Sequence, residues 1–526
     1  MRAADSLLFI VVALVAVPVL AVFSAWFFLD VELWSHMLTT RLPRLFFNTL
    51  ILLFFVGIGV LIMGVGLAWL VSMYEFPGRR WLEWALMLPM ALPAYVMAFV
   101  FLGIFEYSGP LQSWLRDAGL EALTISDVRN AGSISLVMIS VLYPYVYLLA
   151  RNAFMSQGMH FIEAAQSLGA SKWRVALTVN LGMARPAITA GVALALMETL
   201  ADFGTVAIFN YDTFTVAIYR AWFDYFDLRL ACQLASILLL LVAVALTVES
   251  NARGKRAYSG KHGKHPRKQL YGARAWLSCG FACLVVTVCF LLPLMQLAQW
   301  AWMDRTLFVQ SSFQSLLWRT LTLASIAAVL AALVAIGLGL LQRYHTSGWK
   351  LQLVSFCKLG YALPGVVLAV GIVLPLGFFE QLAAPVQVAM GLEPRQLLLG
   401  TVTALLVAYV VRFLAVAMGP VESSLSRLGG NIPEAATALG AQRVRLFVTI
   451  YFPLVRAGIL LAMLMVFVDV VKEMPATLLM RPFGWDTLAV RIYEMTSEGE
   501  YQRAALPAIC ILLVSIVPII VTIRRS

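Results

Sequence analysis

Four acidic residues stand in otherwise apolar stretches of this 526-residue chain: Glu198, Asp202, Asp469 and Glu473. A charge in such a stretch costs about 2.5–3.5 kcal/mol on insertion scales, so carboxylates there are expected to face a bundle interior or a watery path. If the helices continue through them, Glu198 with Asp202 and Asp469 with Glu473 are i,i+4 pairs on one helix face. Their hard oxygens suit a hard cation. The competing reading is an internal ion pair, with Lys472, Arg220 or Arg481 as the cation. Other chemistry is scarce. No Ser-His-Asp arrangement is placed for nucleophilic catalysis. The chain lacks a GxxxxGK[ST] loop, and Gly260-Lys-His-Gly-Lys-His265 has neither its spacing nor its hydroxyl. Any ATPase must therefore be a separate subunit, and no cofactor is expected on this chain. His262 and His265 lie in a basic tract and read as solvated, so no metal site is assigned there. Cys232, Cys279, Cys283, Cys289, Cys357 and Cys510 sit in or beside apolar stretches and read as packing.

The elements that carry these residues follow from composition. Hydrophobic residues make up 62% and charged residues 12%, against about 25% charged in ordinary soluble domains. So few charges cannot cover a water-soluble globule of this size. A soluble enzyme, a disordered chain and a secreted disulfide scaffold are excluded. An all-α polytopic membrane protein is left, because lipid tolerates no unpaired backbone. About twelve apolar runs are long enough to cross a bilayer: 8–29, 46–73, 82–106, 134–155, 186–208, 231–249, 275–299, 317–341, 351–379, 397–419, 457–479 and 504–523. The first, from Leu7 to Leu29, exceeds a signal-peptide core and reads as a retained span.

Basic residues set the orientation. Residues 251–274 hold eight Lys or Arg and no Asp or Glu, and are expected in the cytoplasm as the linker between two halves. Arg79, Arg80, Arg524 and Arg525 then fall on the same side, and both termini are expected to be cytoplasmic. The segment 108–133 is nearly neutral and suits the outer face. The net charge of +11 is spread over these short connections. No basic domain stands apart, so nucleic acid is not an expected partner.

The strongest pattern is a duplication. Residues 163–188, EAAQSLGASKWRVALTVNLGMARPAI, align without a gap on residues 434–459, EAATALGAQRVRLFVTIYFPLVRAGI. The offset is 271, and ten of 26 positions are identical. They include Glu163/Glu434, Ala164/Ala435, Ala165/Ala436, Gly169/Gly440 and Arg174/Arg445. Further on, Asp212-Thr213-x-x-Val216-x-Ile218-Tyr219 matches Asp486-Thr487-x-x-Val490-x-Ile492-Tyr493 after a three-residue insertion. Six spans per half is an even number. The halves, 1–250 and 275–526, are therefore expected to be parallel six-helix repeats about an axis along the membrane normal.

Each EAA segment, at about 158–185 and 430–456, lies between the fourth and fifth spans of its half. Asn431 suits an N-cap, Pro433 the first turn and Glu434 a capping box. The Ala-rich run favours helix, and Gly169 and Gly440 suit a helix stop. The pattern predicts two short cytoplasmic helices joined at a glycine in each half. Such an element can serve as a plain connection, or dock an apolar face with a basic rim into a partner's groove. Two of them about a pseudo-twofold axis suit a symmetric partner dimer.

EAA with a glycine four residues past its last alanine resembles the cytoplasmic signature of ABC importer permeases. The resemblance spans nearly the whole chain, since both halves carry the motif in the expected place. The second copy also has the family's apolar-then-proline ending, Ile450-Tyr451-Phe452-Pro453; the first departs from it with Leu181-Gly182. Glu198-Thr-Leu-Ala-Asp202-Phe-Gly-Thr and Asp469-Val-Val-Lys-Glu473-Met-Pro-Ala, with the Asp212 and Asp486 blocks, resemble the fused two-half permeases of bacterial ferric-iron importers. The resemblance implies a permease subunit without chemistry of its own, in the bacterial cytoplasmic (inner) membrane. It implies ATPase subunits, as a homodimer carrying ATP-Mg, docked on Glu163, Ala164, Ala165, Gly169, Arg174, Glu434, Ala435, Ala436, Gly440 and Arg445. A periplasmic or surface-held binding protein would deliver substrate, and Glu198, Asp202, Asp469 and Glu473 would line a ferric path. Thiamine or an organophosphonate are alternative substrates. An ion-coupled secondary carrier is the rival from another class, and it has no need of an EAA loop.

Overall fold

The structure is a computed structural model of the whole chain, and it describes residues 2–120, 127–157, 165, 167–171, 174–253, 267–344, 348–427 and 442–525. Among the described residues the fold is helical, apart from one two-stranded pair, Tyr74–Glu75 with Lys268–Gln269 in parallel register. Twelve helices among the described residues are long and apolar enough to cross a bilayer. They are Asp5–Phe28, Leu42–Met73, Ala94–Asp117, Ala131–Met155, Leu177–Ala201 and Leu228–Ala252, then Ala273–Met303, Ser311–Arg343, Gly365–Ala389, Val402–Ser426, Val448–Lys472 and Tyr501–Pro518. We call these spans 1 to 12. Each overlaps one of the twelve runs read from sequence.

The boundaries differ in a repeated way. Sequence placed span 3 at 82–106 and span 9 at 351–379, whereas the helices start at Ala94 and Gly365. The cause is Pro93 and Pro364. Proline drives the preceding residue out of the helical region, and Leu92 (ψ 123°) and Leu363 (ψ 120°) are both extended. Spans 5 and 11 also end early, at Ala201 and Lys472 rather than at 208 and 479. The chain turns out at Asp202 (ψ 127°) and Glu473 (ψ 117°) and restarts as the short helices Gly204–Ile208 and Pro475–Met480. At the start of the same two spans the helix widens into a π-turn, at Val175–Asn180 and Phe447–Tyr451, which coincide to within one residue at the offset of 271.

The chain forms two compact units, and they interleave the two sequence halves. One unit comprises Met1–Asp30, Ile218–Ile237 and Thr306–Arg491. Here span 1 lies against span 9, so closely that a Cβ on Gly371 would sit 2.6 Å from the Pro18 carbonyl oxygen. Lys350 Nζ reaches Asp5 Oδ1 at 2.5 Å. Trp26 Nε1 donates to Ser236 Oγ at 2.8 Å, and Gln233 Nε2 to the Ala25 carbonyl at 3.0 Å.

The other unit comprises Val31–Ala217, Leu238–Arg305 and Ile492–Ser526. Its centre is span 2 packed on span 4, with Gly64 and Gly191 both against Val146. Phe99 of span 3 stacks on Trp300 of span 7 and Tyr501 of span 12, both at 6.3 Å between ring centroids. Pro144 lies inside the span 4 helix, with the buried aromatics Tyr143 and Tyr147 on either side. Tyr143 and Tyr147 donate to the carbonyls of Leu86 and Glu83, each at 2.8 Å, and so tie span 4 to the helix Arg79–Ala85. Those carbonyls lie near that helix's C-terminal end, where intrahelical partners run out.

Candidate functional site

The EAA segments are described only in part. Glu163, Ala164, Glu434, Ala435, Ala436 and Gly440 lie outside the described residues, as do His262 and His265. Ala165 is helical, and Gly169 has φ of 83°, the left-handed conformation that only glycine adopts at no steric cost. Ala170 N donates to the Ala165 carbonyl at 3.0 Å, the backward bond of a glycine-terminated helix. The helix stop expected at Gly169 is therefore present. Leu168 beside it is 89% exposed.

Arg174 and Arg445 are exposed at equivalent positions, one and two residues ahead of their π-turns. Thr178 Oγ1 donates to the Arg174 carbonyl at 2.6 Å, and Thr449 Oγ1 to the Arg445 carbonyl at 2.5 Å. An i to i−4 hydroxyl bond of this kind bends a helix and suits the local widening. The two halves thus present the same basic residue on the same distorted turn.

The four acids separate into two kinds. Glu198 and Asp469 stay within spans 5 and 11, half-buried. Asp202 and Glu473 occupy the breaks after those spans, so the shared helical face expected from i,i+4 spacing does not reach them. Each instead holds the start of the next short helix. Asp202 Oδ1 accepts from the amides of Thr205 (2.9 Å) and Val206 (3.3 Å), and its Oδ2 from Thr205 Oγ1 (2.9 Å). Glu473 accepts from the amides of Ala476 (3.2 Å) and Thr477 (3.4 Å) and from Thr477 Oγ1 (3.2 Å). Free amides at a helix start favour a carboxylate.

The second half adds a charge. Arg412 Nη1 of span 10 lies 3.2 Å from Glu473 Oε1, with the two side chains 14% and 1% exposed. Gly365 opens span 9 directly against this pair; a Cβ there would fall on Arg412 Nη1 and 2.7 Å from Glu473 Oε1. Tyr409 OH and Thr477 Oγ1 share a hydrogen bond of 2.6 Å, which closes the network. At the position of Arg412 less 271 stands Val141. The two breaks thus share a helix-starting carboxylate, and this ion pair belongs to the second. Sequence reading passed over Arg412, although a single arginine inside an apolar run is itself a signal.

The Asp212 and Asp486 blocks follow the breaks and are tied back to span 2 and span 8. Asn48 Nδ2 donates to the Asp212 carbonyl at 2.9 Å, and Arg44 Nε lies 3.7 Å from its carboxylate. In the second half Arg319 donates to the Gly484 carbonyl, Leu488 N donates to Thr320 Oγ1 at 2.9 Å, and Arg481 pairs with Asp486 at 2.5 Å. Asn48-Thr49-Leu50 and Arg319-Thr320-Leu321 share the offset of 271, a repeat signal that could have marked span 2 and span 8 as anchors. Thr215 Oγ1 reaches the Asp202 carbonyl at 2.7 Å and so joins block to break. Among the described residues, no group of three or more His, Cys, Asp or Glu side chains could hold a metal ion.

Spans 5 and 11 each have a carboxylate at the break that ends them and an exposed arginine ahead of their start. Residues 61–251 match the family described as "Binding-protein-dependent transport system inner membrane component". That match lies within the first of the two repeated halves and the start of the linker. The chain is 26% identical over 486 residues to the Fe(3+)-transport system permease protein FbpB 2 of Haemophilus influenzae, an alignment covering 91% of this chain and 89% of that protein. Along nearly its whole length the chain resembles a two-half permease. It is also 34% identical over 148 residues to the sulfate transport system permease protein CysW of Escherichia coli, covering 28% of this chain and 49% of that protein. These relatives are transport permeases, not enzymes. Among solved structures, a chain of the bacterial alginate ABC transporter in complex with an alginate pentasaccharide-bound periplasmic protein aligns with a TM-score of 0.36 at 18% identity, over 45% of this chain and 85% of that chain.

Proposed function

We propose that the protein is the membrane-spanning subunit of an ABC importer that moves ferric iron across a bacterial cytoplasmic membrane. The observation that carries this reading is the near full-length alignment with an Fe(3+)-transport permease, joined to hard carboxylates at equivalent positions in both halves. A binding protein on the outer side delivers the substrate. A homodimer of separate ATPase subunits binds ATP-Mg and docks on the two EAA loops, through Glu163 to Gly169 and Arg174, and Glu434 to Gly440 and Arg445. ATP-driven approach of those subunits draws the loops together and turns the path from inward- to outward-facing. Glu198, Asp202, Asp469 and Glu473 stand along the path or frame it, and both termini face the cytoplasm.

The repeated π-turn supports the coupling role, because it lies between the docking loop and the span that must respond. A sulfate substrate is the second reading, favoured by the sulfate permeases that match about a quarter of the chain. The carboxylates weigh against it, since an anion gains nothing from them.

The deciding experiment measures uptake of labelled Fe³⁺, sulfate and thiamine in cells lacking this chain, with and without its restoration. A Gly169→Asp/Gly440→Asp variant at equal membrane level completes the set. The expected result is iron uptake restored by the native chain and lost in the variant. Restoration of sulfate or thiamine uptake in place of iron overturns the metal and keeps the importer. Normal transport by the variant overturns the docking role of the loops and brings the secondary carrier forward.

A further inference from the structure

The strand pair at the end of span 2 gathers an unusual number of arginines. Tyr74 and Glu75 pair with Lys268 and Gln269, and Leu270 N adds a bond to the Glu75 carbonyl at 3.0 Å. Arg79 Nε reaches Glu75 Oε2 at 2.9 Å, and its Nη1 reaches Glu83 Oε2 at 2.7 Å. Arg151 Nη2 takes the other oxygen of Glu83, and its guanidinium lies 5.2 Å from the Trp84 ring. Arg267 stands near enough to Arg79 and Arg151 to act on both charges. Two carboxylates therefore face three guanidiniums, and exposed Arg80 and Lys268 add two more cations.

The surplus is not only one of charge. Among the described residues the buried Nε atoms of Arg151 and Arg267 have no hydrogen-bond partner, and Arg151 is only 8% exposed. A buried donor left without an acceptor is destabilising, the more so when it is charged. Burial first, and then Arg79, pulls the Arg267 guanidinium below its usual range. The neighbouring segment brings no carboxylate to balance these charges, because residues 251–274 contain no Asp or Glu.

The surroundings say what kind of acceptor fits. Trp81 is 80% exposed and Trp276 69%, and tryptophans of this kind sit at headgroup level. Span 7 passes beside the cluster: Cys279 Sγ lies 3.8 Å from where a Gly78 Cβ would be. That span exposes Leu277, Phe281 and Leu284, an apolar track below the arginines. We infer that Arg79, Arg80, Arg151 and Arg267 form a binding site for a phosphate-bearing anion, supplied in the membrane by the headgroup of an anionic phospholipid. The phosphate oxygens take the unpaired guanidinium donors while the acyl chains follow span 7. A bound lipid then fastens the end of the linker to the loop after span 2.

The test uses the full chain in nanodiscs of phosphatidylcholine with or without phosphatidylglycerol. Lipid retained after mild delipidation is counted by native mass spectrometry, and thermal unfolding is followed in parallel. The native chain is expected to retain phosphatidylglycerol and to unfold at a higher temperature in its presence. Arg80→Gln/Arg267→Gln is expected to lose both effects, with about tenfold weaker retention, the equivalent of one charge-assisted contact. Arg267→Lys keeps most of the effect. Arg427→Gln, which removes an exposed cation elsewhere on the same predicted side, changes nothing. Equal retention by the double variant, or an equal loss in Arg427→Gln, overturns the site. Stabilisation by inorganic phosphate in detergent, with no preference between the two lipids, overturns the lipid as its source.

Discussion

Glu473 shows how one residue can serve two ends. It starts the helix Pro475–Met480 and neutralises Arg412 in a nearly closed interior. Removing one partner of a buried pair leaves the other charge uncompensated and costs about 3–5 kcal/mol. Glu473→Ala is therefore expected to lower the unfolding midpoint in detergent sharply. Adding Arg412→Leu should recover most of the loss, since replacing both charges by apolar groups is often neutral. A double variant no more stable than the single one would show that the pair does not carry the cost. Asp202 has helix-starting bonds and, among the described residues, no ion pair to match, so its substitution separates structure from transport. Asp202→Asn keeps an acceptor oxygen for Thr205 and is expected to cost only about 1 kcal/mol. If its charge belongs to the path, uptake falls far more than the membrane level does. Uptake that follows protein level would remove Asp202 from the path.

Elements explain where sequence was legible and where it was not. All twelve spans show in the apolar runs, because hydrophobicity is a local property. Their ends depend on backbone events that hydropathy does not register. Leu92-Pro93 and Leu363-Pro364 each cut a run that looked continuous, and the proline rule could have located both cuts. The breaks at Asp202 and Glu473 were harder, since their acceptor bonds to residues three and four positions on form only once the chain has turned. The glycine stop at Gly169 was legible from local composition. The π-turns were not, because no residue pattern declares an extra residue per turn. They make a test at this scale. Deleting Val179 restores ordinary helical spacing and rotates everything before it by about 100° about the axis of span 5. Membrane insertion is expected to persist, because span 5 keeps its length to within one residue. Substrate-stimulated ATP hydrolysis by the assembled transporter is expected to disappear, because Arg174 and the EAA segment then face a new direction. Normal stimulation would show that the turn is not the connection between loop and span.

At the scale of the molecule, the duplicated halves are units of sequence while the compact units interleave them. Residues 306–491 carry spans 8 to 11, and span 1 joins that unit from the far end of the chain. Its fit there is specific: Pro18 presses on Gly371, Leu7 on Gly337, and Asp5 meets Lys350. The other unit likewise takes spans 7 and 12 against span 3, through Phe99, Trp300 and Tyr501. A half made by itself would expose the surfaces meant for its missing spans, and unfilled close contacts at Gly371 and Gly103 would leave voids in the packing. Neither 1–260 nor 261–526, expressed singly, is expected to accumulate in the membrane. The cut lies in the basic linker and removes no span, so the two pieces expressed together should associate and co-purify through opposite tags. Gly371→Leu then gives the control that tells interleaving from simple adjacency. A bulky side chain there collides with the Pro18 carbonyl and should weaken recovery of the first piece by the second. Independent accumulation of either half, or indifference of co-purification to Gly371→Leu, would mean that the exchanged spans do not hold the two halves together.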